Sequence, residues 1–349
     1  MLKNDYLCSM MKRNTNGSHR SDRPLVSVVI CTYNGGKYLK EQLDSVINQT
    51  YPLHEIIIQD DGSTDDTMQI VQKYADTHSN IRVSLNTGQH GINHNFFSAL
   101  RQATGDYIAT CDQDDIWEAD KISCQVQAIG DKLMCACLSK PFSEDGSFAH
   151  FDCRKPNYGL LRLLFINEIP GHTILMSRSL LDYLPKEGCD VMYRDRMYDI
   201  ILALTAASHD SIAYVDKVLV HFRRHYDAAT YSSYSRSIPS ASNALFILKW
   251  SIQHYSTMKE LTSGRYTAQM EFISQFREPA SICEEGIKFM KLLISRRFSD
   301  FMRLEWMCLK HRFEIFHTRG KDPINILRAL LFPFTSMYYC RFLLNLPSK

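Results

Sequence analysis

Several signals that identify common protein classes are missing from this 349-residue sequence. No clean apolar run reaches the roughly 20 residues that a membrane-spanning helix needs, and there is no internal repeat or low-complexity tract. No Gly-x-Gly-x-x-Gly fingerprint follows the first predicted strand, which argues against a dehydrogenase. The net charge is only +2, so no overall electrostatic field favours a nucleic acid as partner.

The cysteines show no pattern of disulfide pairing. Their number, eleven, is odd, and Cys31, Cys111, Cys135 and Cys137 stand inside apolar, strand-like runs. We therefore expect free, buried thiols in a reducing cytosol. The Cys135-x-Cys137 spacing leaves a zinc site as an alternative, but no second cysteine pair follows it, and core packing is the favoured interpretation.

Apolar strands alternate with helices over the first third of the chain. Residues 1–22 are polar and basic, which predicts a disordered lead-in. Beyond them, runs rich in β-branched residues predict strands, and segments with helical spacing predict the helices between them. This alternation indicates βαβ units, a mostly parallel sheet and an α/β fold. The predicted strands are 25–31, 55–59, 81–85 and 107–111, and Ser63 or Thr64 is expected to cap the second helix.

Polar clusters follow three of the predicted strands. In an open α/β sheet, ligands bind beyond the carboxyl ends of the strands. If the three strands are parallel neighbours, the clusters share one edge of the sheet and form a single site. They are Thr32-Tyr33-Asn34, Asp60-Asp61 and Asp112-Gln113-Asp114-Asp115.

The residue types in these clusters favour a nucleotide and a divalent cation. Several carboxylates at one strand end repel each other unless a counter-charge is present, and carboxylate with phosphate oxygens suits Mg²⁺ or Mn²⁺. One carboxylate of Asp60-Asp61 suffices to hold a turn, which leaves the other for a base or ribose. Tyr33 offers a ring for stacking, and the Gly35-Gly36 pair lets the backbone approach a phosphate closely.

In this order, the motifs resemble those of the family 2 glycosyltransferases, which have the GT-A fold. The resemblance covers residues 24–230, roughly two thirds of the chain, and the combination is more specific than any single motif. It implies a Rossmann-like mixed sheet, a nucleotide-sugar donor, a divalent metal (Mg²⁺ or Mn²⁺) and inversion at the anomeric carbon. The matching segments are Val26–Asn34, Asp60–Asp65, Gly105–Ile108 and Asp112–Trp117.

The resemblance also implies roles for individual residues. Asp114 and His225 would bind the metal, and Asp199 would be the catalytic base. His94 departs from the family pattern, where a more basic residue is common before the asparagine. The implied donor-binding residues are Thr32, Tyr33, Asn34, Asp60, Asp61, Asn95 and Asp112, and the implied acceptor-side residues are Asp115, Trp117, Gly171 and His172.

The position of Asp199 in the chain supports its role independently. Inversion by direct displacement needs one carboxylate to take the proton of the incoming hydroxyl. Asp199 begins an apolar helical stretch, and a helix N-terminus is expected to keep it ionised. A helix N-cap without a catalytic role is the alternative. Tyr198 stands where the family more usually has histidine.

The chain is expected to divide into a catalytic domain and a helical, basic C-terminal region. The GT-A catalytic domain is predicted at 23–236, with a nucleotide-sugar-binding half (23–118) and an acceptor and catalytic half (119–236). The remainder, 237–349, is predicted to be helical, and its segment 281–349 carries twelve Lys/Arg against six Asp/Glu. Interleaved aromatics there favour an interfacial segment on an anionic membrane, with a packed helical appendage or a dimer contact as alternatives.

The sequence thus predicts an inverting glycosyltransferase that uses a dTDP-rhamnose or UDP-hexose type of donor. The expected acceptor is a glycan or lipid-linked glycan of cell-surface polysaccharide synthesis, at the cytoplasmic face of the plasma membrane, and the oligomeric state is left open. A nucleotidyltransferase is an alternative, although it would favour a Gly-rich, basic loop after the first strand. A sugar-nucleotide binding module without chemistry is another, although it would leave Asp114 and Asp199 idle.

Overall fold

Eight strands form one mixed sheet in the part of the chain that the computed structural model describes, namely residues 23–143, 155–185, 190–225, 241–316 and 322–345. The predicted lead-in, 1–22, lies outside the described residues. The strands are β1 (Val26–Thr32), β2 (Glu55–Asp60), β3 (Ile81–Leu85), β4 (Tyr107–Cys111), β5 (Ile116–Trp117), β6 (Met134–Phe142), β7 (Leu175–Ser177) and β8 (Ile212–Arg223).

The described helices fall into two groups along the chain. Those that alternate with the strands are α1 (Gly36–Ile47), α2 (Thr67–Thr77), α3 (Ile92–Leu100), α4 (Lys121–Ile129), α5 (Leu160–Leu163), α6 (Asp190–Asp195) and α7 (Tyr198–Ser208). Those that follow the sheet are α8 (Ala241–Gln253), α9 (Tyr255–Ser274), α10 (Ile282–Ile294), α11 (Phe298–Lys310) and α12 (Asp322–Thr335). Short 3₁₀ segments lie at Gly171–Thr173, Arg178–Tyr183 and Ser336–Asn345.

The sheet begins with the predicted parallel strands and becomes mixed beyond them. Its order is β3-β2-β1-β4-β7-β6-β8-β5. The first four strands in this order are parallel, whereas β7 runs antiparallel to both of its neighbours. Thr32 pairs with Asp60, and Ile30 pairs with Cys111. The polar clusters after β1, β2 and β4 therefore share one edge of the sheet, as predicted.

Helices cover both faces of the parallel strands, which explains their unbroken apolar runs. Successive side chains of a strand point to opposite faces. In β2, Ile57 belongs to one hydrophobic cluster, whereas Ile56 and Ile58 belong to the other. Val29 and Val28 divide in the same way in β1. Burial on two sides is what makes these strands recognisable in the sequence.

Two strands are longer than their apolar patterns predicted. The pattern indicated strands at 134–138 and 212–220, but the pairing of β6 with β8 continues to Phe142 and Arg223, past an irregularity near Leu138. Most side chains in these extensions are partly or fully exposed. Hydrogen bonding rather than burial therefore maintains the strands there, and hydrophobic periodicity gives no signal for it.

The described cysteines are unpaired, and most are buried in the core. Cys111, Cys135 and Cys137 are buried, as expected, and Cys31 is partly buried. Burial raises the pKa of the Cys135 thiol to about 12 and that of Cys137 to about 11. Such thiols remain protonated at neutral pH, which suits packing better than zinc binding.

The C-terminal helices pack against the rest of the fold rather than standing apart from it. Phe289 of α10 and Phe332 of α12 both meet Phe165, in edge-to-face contacts of 5.6 and 4.8 Å between ring centroids. The same hydrophobic cluster continues into α7 and into the sheet. The inner face of this region is therefore packed on the fold, as expected for a helical appendage, which was one of the three alternatives. Among the described residues, no helix is both long and apolar enough to cross a bilayer.

Candidate active site

The end of β2 forms a buried support beneath the shared edge. The Asp60 carboxylate accepts hydrogen bonds from the Thr32 hydroxyl at 2.8 Å and from the backbone N–H of Gly62 and Ser63 at 3.0 and 2.8 Å. Thr32 and Asp60 are each only 1% exposed. The expectation that both touch the donor is therefore not met by this geometry, because their polar atoms are turned inward to hold the turn.

This turn also moves the start of α2 away from the predicted cap. The N–H of Ser63 is held by Asp60 and that of Thr64 by the Asn34 side chain, at 2.8 Å each. Both residues are thereby kept outside the helix, which begins at Thr67. Asp66 is at the N-cap position without a capping hydrogen bond from its side chain, and the Asp65 carboxylate before it accepts the N–H of Thr67 at 3.0 Å.

The loop after β1 is attached to the acidic cluster after β4. The Gln113 side chain accepts the Tyr33 N–H at 2.9 Å and donates to the Tyr33 carbonyl at 3.1 Å. Gly35 is needed beside it, since a Cβ there would collide with the Gln113 amide. Asn34 has a positive φ of 48° and is held at its own N–H by Ser63. The Tyr33 ring remains 58% exposed and is free to stack on a base.

Asp61 lies above the buried support and fixes the loop that leads to α3. Its carboxylate accepts the Asn86 amide at 2.6 Å and the Gly91 N–H at 2.7 Å, and it lies 3.0 Å from His90 Nδ1. Asn95, predicted to bind the donor, is instead 2% exposed and exchanges hydrogen bonds with Gln59. This corrects the expectation for Asn95, whose amide holds α3 against β2.

Two carboxylate–histidine groups lie at the end of β4. His225 Nε2 is 2.8 Å from an Asp114 oxygen, and His172 Nδ1 is 3.4 Å from Asp112 and 3.3 Å from Asp115. Ligand atoms of Asp112, Asp115 and His172 all lie within 4.8 Å of one another. The sequence predicted Asp114 and His225 as a pair, and the structure brings them together. It adds the Asp112–Asp115–His172 group beside them.

The donor atoms in this cluster suit a divalent cation. The Asp115 Oδ2, His172 Nε2 and His225 Nδ1 atoms are buried without a hydrogen-bond partner in the described part of the chain. Buried polar atoms are normally satisfied, so such a concentration indicates a missing ligand. Carboxylate oxygens and imidazole nitrogens are ligands of Mn²⁺, and the carboxylates alone suit Mg²⁺. The cluster therefore fits the metal that the family resemblance implies.

Burial dominates the electrostatics of these carboxylates. It raises the pKa of Asp115 to about 7, with His172 opposing the shift and Asp112 and Asp114 adding to it. Burial, followed by the charge of Asp112, also raises the pKa of Asp114. The ionised cluster is costly without a counter-charge, and a cation would relieve that cost.

Asp199 lies in the first turn of α7, where the sequence placed it. Its carboxylate accepts the N–H of Ile200 at 2.7 Å. Contrary to expectation, the helix N-terminus does not keep the pKa of Asp199 low, because burial raises this pKa to about 7. The hydrogen bond from the Ile200 N–H lowers the pKa, and the negative charge of Asp112 raises it further. A carboxylate with such a pKa is matched to taking a proton near neutral pH.

Tyr198 connects this helix to the acidic cluster. Its ring stacks on Phe96 at a centroid distance of 3.8 Å, and its hydroxyl lies 3.5 Å from Asp112 Oδ1. Gly171, predicted on the acceptor side, lies directly against that hydroxyl, and a Cβ at this position would collide with it. The glycine therefore makes room for Tyr198, whose link to Asp112 carries no signal in the sequence.

Trp117 does not line the open edge, which corrects the acceptor-side prediction for it. The side chain is 3% exposed and belongs to the hydrophobic cluster under the sheet. The Lys121 ammonium lies 3.9 Å from the centre of its ring. Asp115 is also turned inward: its Oδ1 accepts the N–H of Arg223 at 3.0 Å, which joins β8 to the acidic cluster. Trp117 and Arg223 support the site from beneath.

Comparison with known proteins agrees with these observations. Residues 27–194 match the model of the domain described as "Glycosyl transferase family 2". TuaG of Bacillus subtilis, whose name assigns it to teichuronic acid biosynthesis, is 38% identical over 105 residues, or 30% of this chain and 42% of TuaG. Chondroitin synthase of Escherichia coli is 36% identical over 115 residues, or 33% of this chain and 17% of the synthase. The chain thus spans less than half the length of both relatives.

A solved structure resembles almost the whole chain. The crystal structure of S. aureus TarS 1-349 has a TM-score of 0.51 at 17% sequence identity, and the match covers 91% of each chain. At this identity the likeness concerns the fold alone. Together with the domain match and the mixed sheet flanked by helices, it confirms the GT-A fold expected from the motifs.

Proposed function

Because residues 27–194 form a glycosyltransferase family 2 domain, we propose that this protein transfers a sugar from a nucleotide diphosphate donor to an acceptor hydroxyl with inversion. One observation carries the proposal: a buried carboxylate–histidine cluster suited to a divalent cation lies beside Asp199, whose pKa of about 7 suits a general base. Metal, diphosphate and base would meet at the carboxyl edge of the parallel strands, which is where ligands of such sheets bind.

The residues divide into a donor side and a reacting side. Tyr33 would stack on the base, and Asp61, with the loop that it holds, would face the ribose. Asp112 and Asp114, with His225, would hold Mg²⁺ or Mn²⁺, which when bound neutralises the diphosphate and stabilises it as a leaving group. Asp199 would take the proton of the acceptor hydroxyl as its oxygen attacks the anomeric carbon.

The likeness to TuaG and chondroitin synthase supports a polysaccharide as the product. Each is named for the synthesis of a polymer of sugars. We infer a glycan or lipid-linked glycan acceptor and a UDP-hexose or dTDP-rhamnose type of donor.

A screen of nucleotide sugars tests the activity. We expect release of the nucleoside diphosphate from at least one UDP- or dTDP-sugar in Mg²⁺ or Mn²⁺, and none in EDTA. UDP or dTDP affinity, measured by calorimetry, should also need the metal and fall at least tenfold in Asp114→Ala, because two phosphates and several carboxylates repel each other. Metal-dependent binding without turnover on any donor and acceptor would instead favour a binding module.

We also propose that helix α11 places the protein on an anionic membrane surface. Phe298, Met302 and Trp306 follow one another at four-residue spacing and are 79%, 53% and 69% exposed. Residues at this spacing lie on one face of a helix. Arg297 and Arg303 are exposed beside them, and each basic residue near an anionic surface contributes roughly 1 kcal/mol.

Vesicle sedimentation tests this surface with point variants, because helix α10 and its neighbours form part of the core and cannot be cut away. Wild type is expected to pellet with anionic vesicles and not with neutral ones. A Phe298→Ser, Trp306→Ser double variant should lose most of this binding, whereas Leu85→Ser, which removes a 59% exposed apolar side chain from strand β3, should not. Equal pelleting of the double variant would contradict the membrane proposal.

A further inference from the structure

A cleft of about 460 Å³ opens beside the predicted donor site, between helix α3 and the segment that leads to Asp199. This volume falls in the range of small-molecule sites. None of the residues predicted to hold the nucleoside lines it. The residues used in the argument below are His94, Phe97, Arg101, Leu184, Asp190 and Tyr193.

One wall of the cleft combines a cation with an aromatic surface. His94, Phe97 and Arg101 lie three and four residues apart in and just beyond α3, so they face the same side. Arg101 is exposed, and its side chain makes no hydrogen bond or ion pair with any residue that the structure describes. Asp190 lines the same cleft.

The opposite wall is held in place. The Tyr193 hydroxyl donates to the Pro185 carbonyl at 2.9 Å, and its ring meets Phe97 edge-on at 5.3 Å between centroids. The Asn93 amide donates to the Tyr193 carbonyl at 2.7 Å and also to the carbonyl of Arg196. A cleft whose walls are fixed by such contacts can bind a ligand with little reorganisation.

The cleft and the proposed base belong to one continuous segment. Helix α6, which carries Asp190 and Tyr193, runs into Arg196 and then into the start of α7 with Asp199. Phe96, which precedes Phe97 on α3, stacks on Tyr198 at a centroid distance of 3.8 Å, and Tyr198 directly precedes Asp199. The helix that carries one wall of the cleft thus contacts the helix start that carries the proposed base, which favours the acceptor as the ligand of the cleft.

We propose that the cleft binds an acidic sugar unit of the acceptor. The proposal rests on the proposed function, and it means that the acceptor has a uronic acid next to the sugar that reacts. The unpartnered Arg101 guanidinium matches a carboxylate in a two-point hydrogen bond. Asp190 accepts hydrogen bonds from sugar hydroxyls, and the partly exposed side chains of Leu184 and Tyr193 contact the apolar face of the ring.

Oligosaccharide binding to the full-length protein tests the proposal, with tetragalacturonic acid as the acidic probe and cellotetraose as the neutral one. We expect saturable binding of the acidic probe only, weakened by salt because the contact is ionic and exposed. Arg101→Gln should weaken it at least tenfold. Lys73→Gln, which removes an equally exposed cation from helix α2, should change it less than twofold.

The controls separate this proposal from the proposed function. UDP affinity in Mg²⁺ and the melting temperature should be the same in Arg101→Gln and wild type, since Arg101 is exposed and lies outside the donor site. If UDP binds with metal but tetragalacturonic acid does not, the acidic-acceptor proposal alone is wrong. Equal binding of cellotetraose, an unchanged affinity in Arg101→Gln, or full displacement by inorganic phosphate at the same concentration would each overturn it.

Discussion

Asp115 should connect the stability of this protein to both pH and a divalent cation. Burial raises its pKa from 3.8 to about 7, a difference of about three units, and each unit corresponds to 1.36 kcal/mol. Ionised Asp115 therefore destabilises the folded protein by up to about 4 kcal/mol. The folded state holds this proton more tightly than the unfolded state, so Asp115 costs no stability at and below about pH 4, costs more as the pH rises to about 7, and costs a constant amount above it.

A cation that binds the cluster should offset this cost, and should do so more fully at high pH. Below pH 7 Asp115, next to the proposed ligands, is protonated and neutral, whereas above pH 7 the cation gains the attraction of an ionised carboxylate. We expect Mn²⁺ to raise the free energy of unfolding by a larger amount at pH 8.5 than at pH 5.5. In EDTA, the free energy of unfolding should be lower at pH 8.5 than at pH 5.5.

Chemical denaturation at the two pH values, with Mn²⁺ and with EDTA, measures all four free energies. Asp115→Asn keeps the size of the side chain and removes its titration, so it should reduce the pH dependence in EDTA to the part that other buried carboxylates such as Asp199 contribute, and reduce the effect of Mn²⁺. An equal effect of Mn²⁺ at both pH values in wild type would refute the coupling. So would an unchanged pH slope in Asp115→Asn.

Three further outcomes follow from the site. Gly171→Ala should displace the Tyr198 hydroxyl and lower turnover at least tenfold while the fold is retained, as measured by steady-state kinetics and circular dichroism. Gly35→Ala should push Gln113 off the Tyr33 backbone, and calorimetry should show weaker UDP binding with Mg²⁺ bound normally. Because burial raises the pKa of Asp199 to about 7, kcat should rise with pH and level off above about pH 7; a flat profile from pH 5.5 to 8.5 would exclude this carboxylate as the base.

The edge of the sheet and its acidic cluster were predictable because local chemistry determines them. Strands buried on both faces have unmistakable apolar runs, and their order along the chain implies parallel neighbours. Asp112, Asp114 and His225 lie together because strand ends and register bring them there. The position of Asp199 in the first turn of α7 was predictable because a carboxylate at the start of an apolar helix is a recognisable pattern; its role as the base stays a proposal.

The sequence could not show whether a side chain points into the core or toward the open edge of the sheet. Asp60 and Asp61 are adjacent and identical, yet only the geometry of the turn shows that Asp60 is the buried support. Asn95 was given to the donor by its motif, but its partner Gln59 lies 36 residues away along the chain. Trp117 likewise follows the acidic cluster directly and still points into the core.

The predicted electrostatics of Asp199 were wrong for a related reason. A helix N-terminus favours an ionised carboxylate by about 0.3–1 kcal/mol at an exposed position. Burial and the nearby charge of Asp112 act in the opposite direction and are larger. The amount of burial depends on how α7 packs against the rest of the protein. The residues next to Asp199 in the sequence do not indicate how deeply its side chain is buried.

Asp199→Asn tests the central claim most directly. The change preserves size and hydrogen bonding to the Ile200 N–H partner but removes the ability to take a proton. With a donor and acceptor identified by the nucleotide-sugar screen, turnover should fall by about 10²–10⁴-fold, while the Kd for UDP in Mg²⁺ stays within about threefold of wild type. Turnover within a few-fold of wild type would contradict the account of Asp199 as the base and of direct displacement at this site.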